Sequence, residues 1–163
     1  MKPALIRCVP SGRRAQRGAA AVELAIVMIV MLLLTAGIVE FGRAFWYYNA
    51  LDKATRDAAR YLSAIPAADM TDSAQAATAI ATAKDLVVGA VNGASVSPAI
   101  TTANVAVTCD VACGSPTKPL NVSVGITGFT IRIGGLIPFV IGPAGGNYGD
   151  TGLSPHTTMR YMN

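Results

Sequence analysis

The 163-residue chain carries 13 bases against 9 acids, but the surplus is local: thirteen bases less the five that precede Ala19 leave eight. With no basic cluster downstream to meet a phosphate backbone, a nucleic-acid partner loses its electrostatic ground. Hydrophobic residues reach 52% and charged ones only 13%, a balance that fits an apolar helix followed by about 120 residues of one small, weakly charged domain.

Met1 to Arg17 holds Lys2, Arg7, Arg13, Arg14 and Arg17, no acid, and Pro3, Pro10 and Gly12. Lacking a hydrophobic period, it is expected to form no fold, while its bases hold it at the anionic cytoplasmic leaflet. Cys8 falls in this leader, on the reducing side, where a free thiol is expected and palmitoylation is the alternative.

Ala19 to Val39 follows, a run that would reach roughly 30 Å as a helix, the thickness of a bilayer's hydrocarbon core. A soluble core helix would show a polar face, yet from Leu24 to Val39 only Thr35 and Gly37 interrupt the hydrocarbon. A membrane span is the expectation. Bases alone precede it and mixed charges follow it, in Glu40, Arg43, Asp52, Lys53, Arg56, Asp57 and Arg60, so the N-terminus should stay cytoplasmic and the rest be exported.

Within the run Glu23 is the single acid. A carboxylate costs about 2.5 to 3.5 kcal/mol near the middle of a span and less near its end, so it usually has a partner or a task. The simpler account is that a negative charge in the first turns suits the helix dipole by roughly 0.3 to 1 kcal/mol. Two cleavage points are open: a small-x-small site at Thr35-Ala36-Gly37, past the apolar run, and Gly18–Ala19, ahead of it.

Beyond the span, Phe41, Phe45, Trp46, Tyr47 and Tyr48 form an aromatic group where amphipathic rings anchor a helix at the membrane interface. The helix should continue, because Leu51, Ala54, Thr55, Ala58, Ala59 and Leu62 recur at i, i+3, i+4 with Asp52, Lys53, Arg56, Asp57 and Arg60 opposite. Asp52 and Arg56 form a favourable i, i+4 pair. Pro66 stops the helix after Ile65, giving one helix of roughly 45 residues and about 70 Å.

The stretch RGAAAVELAIVMIVMLLLTAGIVEFGRAFWYYNALDKATRDAARYLS resembles the N-terminal region of TadE-like proteins, minor pseudopilins of the tight-adherence (Flp) type IV pilus system. The resemblance runs roughly from Arg13 to Ser63 and rests on Gly18, Glu23, Glu40-Phe41-Gly42-Arg43 and Ala58-Ala59-Arg60; Leu24 stands where the family usually has Phe or Tyr. It implies cleavage by a prepilin peptidase between Gly18 and Ala19, and Glu23 paired with the new amine at Ala19 of a neighbouring helix, setting the stagger between subunits. It also implies as partners other Tad pseudopilins, the major Flp pilin and an inner-membrane assembly platform.

A second helix is expected from Asp72 to Val91, capped by Asp72 and ended by Asn92-Gly93. Ile80, Leu86, Val87, Val88 and Val91 should supply its buried stripe, with Ala76 and Ala77 allowing close approach. The period then falls to two: Val105, Val107 and Cys109, then Val122, Val124 and Ile126, read as antiparallel strands. At Gly128 the alternation slips by one, which suggests a bulge or bend before Phe129, Ile131 and Ile133. Gly134-Gly135 ends that segment, and Leu136 to Ile141, with Pro138 inside it, reads as an edge strand or packed loop. Phe129 to Ile141 is either the domain's own core strand or an exposed patch that docks another subunit. Gly142 to Gly152 is expected to be loop, and Thr157 to Met162 a last short strand with Arg160 on its polar side.

Cys109 and Cys113 enclose three residues between the strands, where export favours a disulfide. The spacing is not CxxC, and His156, the single histidine, is far off in sequence, so neither a redox motif nor a metal centre is expected. Asp69, Asp72, Asp85, Asp110 and Asp150 are scattered, and the glycine pairs lack the setting of a phosphate loop or nucleophile elbow. No enzyme and no cofactor is expected. The fold expectation is α+β and pilin-like: a leader at 1–18, a transmembrane helix at 19–39, its exported continuation at 40–65, and a small domain with a second helix and an antiparallel sheet at 66–163. Two functions stand: a minor pseudopilin cut after Gly18, or an exported binding module, either cut by signal peptidase near Gly37 or left anchored.

Overall fold

The computed structural model describes residues 12–132 and 150–163, with side chains described from Gly18 onward. Two compact units divide the chain, Met1–Val39 and Glu40–Asn163, and the helix α1 (Gly12–Ser63) runs through both. The class is α+β. α1 begins at Gly12, which corrects the expectation that nothing before Arg17 folds: after Gly12 come Arg, Ala and Gln, good helix formers with no breaker among them. Cys8, Lys2, Arg7 and the two leader prolines lie outside the described residues.

In the second unit α1 ends at Ser63, two residues short of the expected Ile65. Its last turn tightens, with Ala64 N donating to Tyr61 O and Ile65 N to Leu62 O. Pro66 then starts a short helix that the sequence did not reveal, α2 (Ala67–Thr71), which seats Met70 in the core. Asp72 caps α3 (Ser73–Gly93) as expected, its Oδ1 accepting from Ala74 N at 3.0 Å and Gln75 N at 2.9 Å. Gly93 stays helical, and the left-handed position falls instead on Ser95, with φ 56.

α3 buries Ala76, Ala79, Ala83, Val87 and Val91, a narrower stripe than expected: Leu86 is 46% exposed and Ala77 is also outside. Small side chains on the contact face let the helix approach closely, and Leu51, Ala54, Ala58, Ala59 and Leu62 of α1 belong to the same core.

Three strands make the main antiparallel sheet in the order β1 (Val105–Cys109), β2 (Asn121–Ile126), β5 (His156–Arg160). The register pairs Val107 with Val124 and Val124 with Thr157, so Val105, Val122, Val124 and Ile126 turn inward while Thr108 and Thr158 stay exposed. Thr157 also shares a hydroxyl hydrogen bond with Thr55 of α1 at 3.1 Å. Arg160 is exposed, as expected.

Gly128 takes φ 69 and bends the chain so sharply that β3 (Phe129–Ile131) leaves the first sheet and pairs with β4 (Thr151–Leu153). The slip at Gly128 is therefore a change of sheet, and β4 corrects the expectation that 142–152 is loop throughout. Phe129 and Ile131 lie in the core, whereas Gly134-Gly135, Leu136 to Ile141 and Gly142 to Gly149 lie outside the described residues.

After β5 the chain returns to the end of α1. Tyr161 N donates to Leu120 O, Met162 N to Ser63 O, and Asn163 Nδ2 to Ala64 O at 2.6 Å. The Tyr161 hydroxyl donates to Ile65 O, and Lys118 Nζ stands 5.5 Å from the ring centre. These residues satisfy carbonyls at the end of α1 that would otherwise lack helical partners.

Candidate functional site

The first unit contributes the apolar helix. Every residue from Gly18 to Val39 is exposed except Leu33 and Ala36, which are intermediate, and none of the stretch most suited to a membrane is buried. Val22, Leu24 and Leu32 are 61%, 60% and 69% exposed. A helix this apolar and this exposed among the described residues needs lipid or other helices as its solvent.

Gly18 and Ala19 stand inside the continuous helix α1. A Cβ added at Gly18 would meet nothing within 4 Å, so no packing among the described residues explains the glycine. Ala19 and Glu23, four residues apart, share one face about 6 Å apart in rise, and Glu23 is exposed with Leu24 beside it.

The five aromatics expected to form one belt divide three ways. Phe41, Phe45 and Tyr48, at i, i+4 and i+7, make one exposed face, 75%, 60% and 45% accessible. Trp46 is 62% exposed, and its Nε1 lies a long 3.5 Å from Ala94 O. Tyr47 turns inward and packs against the core.

The first residue of the Glu40-Phe41-Gly42-Arg43 motif is buried and paired. Glu40, directly after the apolar run, is only 4% exposed, and its Oε2 receives Arg43 Nη2 at 2.7 Å; the same nitrogen donates to Arg132 O at 2.9 Å. A buried carboxylate is tolerable only with such a partner. Its i, i+3 spacing to Arg43 was visible in the sequence, but the Arg132 carbonyl 89 residues later was not.

At the far end of β1, Cys109 and Cys113 are joined by a disulfide with Cα atoms 5.5 Å apart. Gly114 follows with φ 80 and donates its N–H to Met70 O; a Cβ there would stand 2.9 Å from Ser73 Cα, so only glycine fits. Between the cysteines, Asp110 Oδ1 accepts from Val111 N and Leu120 N at 3.0 Å. Desolvation pushes its carboxyl upward, but the N–H groups of Asn121, Leu120 and Val111 outweigh that and hold it below the ordinary carboxylate range. Among the described residues no group of three or more His, Cys, Asp or Glu is placed to hold a metal.

Residues 18–60 match the family model described as TadE-like protein. No curated protein and no solved structure matches the chain. The matched segment starts at Gly18, takes in Glu23 and the Glu40–Arg43 pair and closes at Arg60, all on α1, and over this segment the chain is similar to the TadE-like proteins of the Tad (Flp) pilus system.

Proposed function

We propose that the chain is a minor pseudopilin, a structural component with no enzymatic role that takes part in assembling a Flp-type pilus after a prepilin peptidase cuts between Gly18 and Ala19. It sits in the bacterial inner membrane as a single span, its N-terminus cytoplasmic and the second unit exported. Its partners are other Tad pseudopilins, the major Flp pilin and the inner-membrane assembly platform. One observation carries this reading: Glu23, the one ionisable group of the apolar run, is exposed one helical turn from Ala19 in the segment that the TadE-like model matches. A carboxylate in that setting calls for a cation, and a freed amine at Ala19 of a neighbouring helix supplies one at the depth required. The exposed face of Phe41, Phe45 and Tyr48 suits helix packing beyond the bilayer as well as it suits anchoring.

The intact mass and N-terminal residue of the protein from native membranes, with and without the prepilin peptidase, test the proposal. A start at Ala19 that depends on the peptidase is expected. A start near Ile38, or an uncut chain, overturns it and leaves the exported binding module, released or anchored. Glu23→Ala should then leave the second unit's thermal unfolding unchanged and abolish pili counted on cells.

A further inference from the structure

Beside the Glu40–Arg43 pair the second unit carries a cleft of about 390 Å³, lined among others by Arg43, Tyr47, Ser97, Thr130, Arg132 and Asp150. Its charges are not equivalent. The Glu40 carboxylate is turned inside and neutralised by Arg43, whose side chain stays 42% exposed. Arg132 and Asp150 are 75% and 54% exposed, with Nε and Oδ1 3.9 Å apart. The cleft therefore presents two guanidinium groups and one carboxylate to whatever enters it, with Tyr47, Ser97 and Thr130 among the residues that line it.

Its position along the chain limits what that is. A bilayer's headgroup layer is about 5 to 8 Å deep on each side, half the difference between its full thickness and its hydrocarbon core. At about 1.5 Å per residue, Arg43 lies about 6 Å past Val39, the last residue of the apolar run, and so within that layer, while Tyr47 at about 12 Å lies just beyond it. We propose that this cleft takes the headgroup of an aminophospholipid from the leaflet where α1 emerges. The phosphate lies against Arg132 and the exposed part of Arg43, and the primary ammonium donates to Asp150. Guanidinium groups suit phosphate because their N–H bonds meet its oxygens in pairs. A quaternary choline has no N–H for Asp150, and a glycerol headgroup brings no cation at all. The assignment rests on α1 spanning the bilayer, as in the function proposed above, but not on processing or pilus assembly.

The full-length chain in detergent micelles is titrated with short-chain phosphatidylethanolamine, phosphatidylcholine, phosphatidylglycerol and inorganic phosphate. Trp46, the single tryptophan, adjoins Tyr47 and reports by fluorescence, with native mass spectrometry counting bound lipid. Phosphatidylethanolamine should bind best. Arg132→Ala should weaken it about tenfold, Arg132→Lys less, and Asp150→Asn should abolish the preference for ethanolamine over glycerol without weakening phosphatidylglycerol. Both side chains are largely exposed, so unchanged circular dichroism should show the variants folded. Equal binding of the three lipids, or equal binding by Arg132→Ala, overturns the proposal. Inorganic phosphate that displaces the lipid at matching concentration also overturns it, by making the site one for a free anion. Alkaline extraction of membranes separates the two readings: a chain released from the membrane sinks the span, whereas a retained chain that distinguishes no headgroup sinks the cleft alone.

Discussion

Along one helix, the residues ahead of Glu40 and those after it bury themselves in opposite ways. Leu32 and Ile38, in the first unit, are 69% and 72% exposed, while Leu51, Ala58 and Leu62, in the second, are wholly buried. The exposed stretch is built from Leu, Ile, Val and Met all round the helix, and the buried one keeps small and apolar residues to a single face with charges opposite. Side-chain hydrophobicity alone thus does not say where burial takes place. An all-round apolar helix leaves its burial to lipid or to neighbouring subunits, whereas a one-sided helix completes its burial within its own chain.

The largest effect that bears on this contrast comes from truncating a leucine on either side of Glu40. Leu62→Ala leaves a cavity in the core and should cost about 2 to 5 kcal/mol, read from chemical unfolding of the purified chain in detergent. Leu32→Ala, of equal chemistry, should leave that unfolding within about 0.5 kcal/mol of the parent. Equal losses at both positions would show that the apolar stretch is part of the domain's cooperative unit, and the contrast would fail.

Next in size are two places where the second unit satisfies its helix ends. Asp72→Ala should cost about 1 kcal/mol, because Ala74 and Gln75 lose the acceptor of their N–H groups. Tyr161→Phe removes a donor to Ile65 O and should also cost about 1 kcal/mol. It should also change the alkaline edge of stability. Burial, and secondarily the Asp69 charge, raise the Tyr161 hydroxyl above its ordinary value of 10.0. The stabilisation is therefore fully present below about pH 10, where the unfolded phenol titrates, and is lost as pH rises through the higher folded value. A phenylalanine variant whose alkaline unfolding matches the parent would show that the hydroxyl contributes nothing at that edge.

How far each region was legible follows from the range of the contacts that decide it. The apolar run, the continuing helical face from Leu51 to Leu62, the Asp72 cap and the alternation of Val122, Val124 and Ile126 are local patterns, and the structure follows them. The burial of Glu40, named in the sequence only as a charge and a motif residue, was not legible because it goes with Arg43 reaching a carbonyl on the far side of the sequence. β4 was not legible because three residues centred on Gly152 carry no alternation of their own; pairing with β3 makes them a strand. Tyr47 was grouped with its aromatic neighbours because composition does not distinguish faces, although a turn of 100° per residue places it on the buried side with Leu51. The helical backbone of Gly12 to Arg17 was not legible because this stretch has no hydrophobic period of its own and opens on a glycine; it is helical as the first turns of α1.

The smallest effect concerns Asp110, at the opposite end of the pH scale from Tyr161. Its carboxylate is a surface group whose partners are backbone N–H groups in the disulfide loop, and Leu120 N reaches both oxygens at 3.0 Å. Desolvation, the largest single influence, acts upward on its titration, yet the N–H donors together prevail and lower it below 3.8. A group depressed in this way stabilises the folded chain above about pH 3.9, the unfolded value, and loses that contribution as pH falls through the lower folded value. Asp110→Asn keeps one acceptor oxygen for the loop but removes the titration. Its unfolding midpoint should therefore differ slightly from the parent's at pH 6 and converge with it near pH 2. A constant difference across that range would mean that the loop depends on the shape of the side chain and not on its charge, leaving the Cys109–Cys113 bridge and Gly114 as what fixes the turn beside α2 and α3.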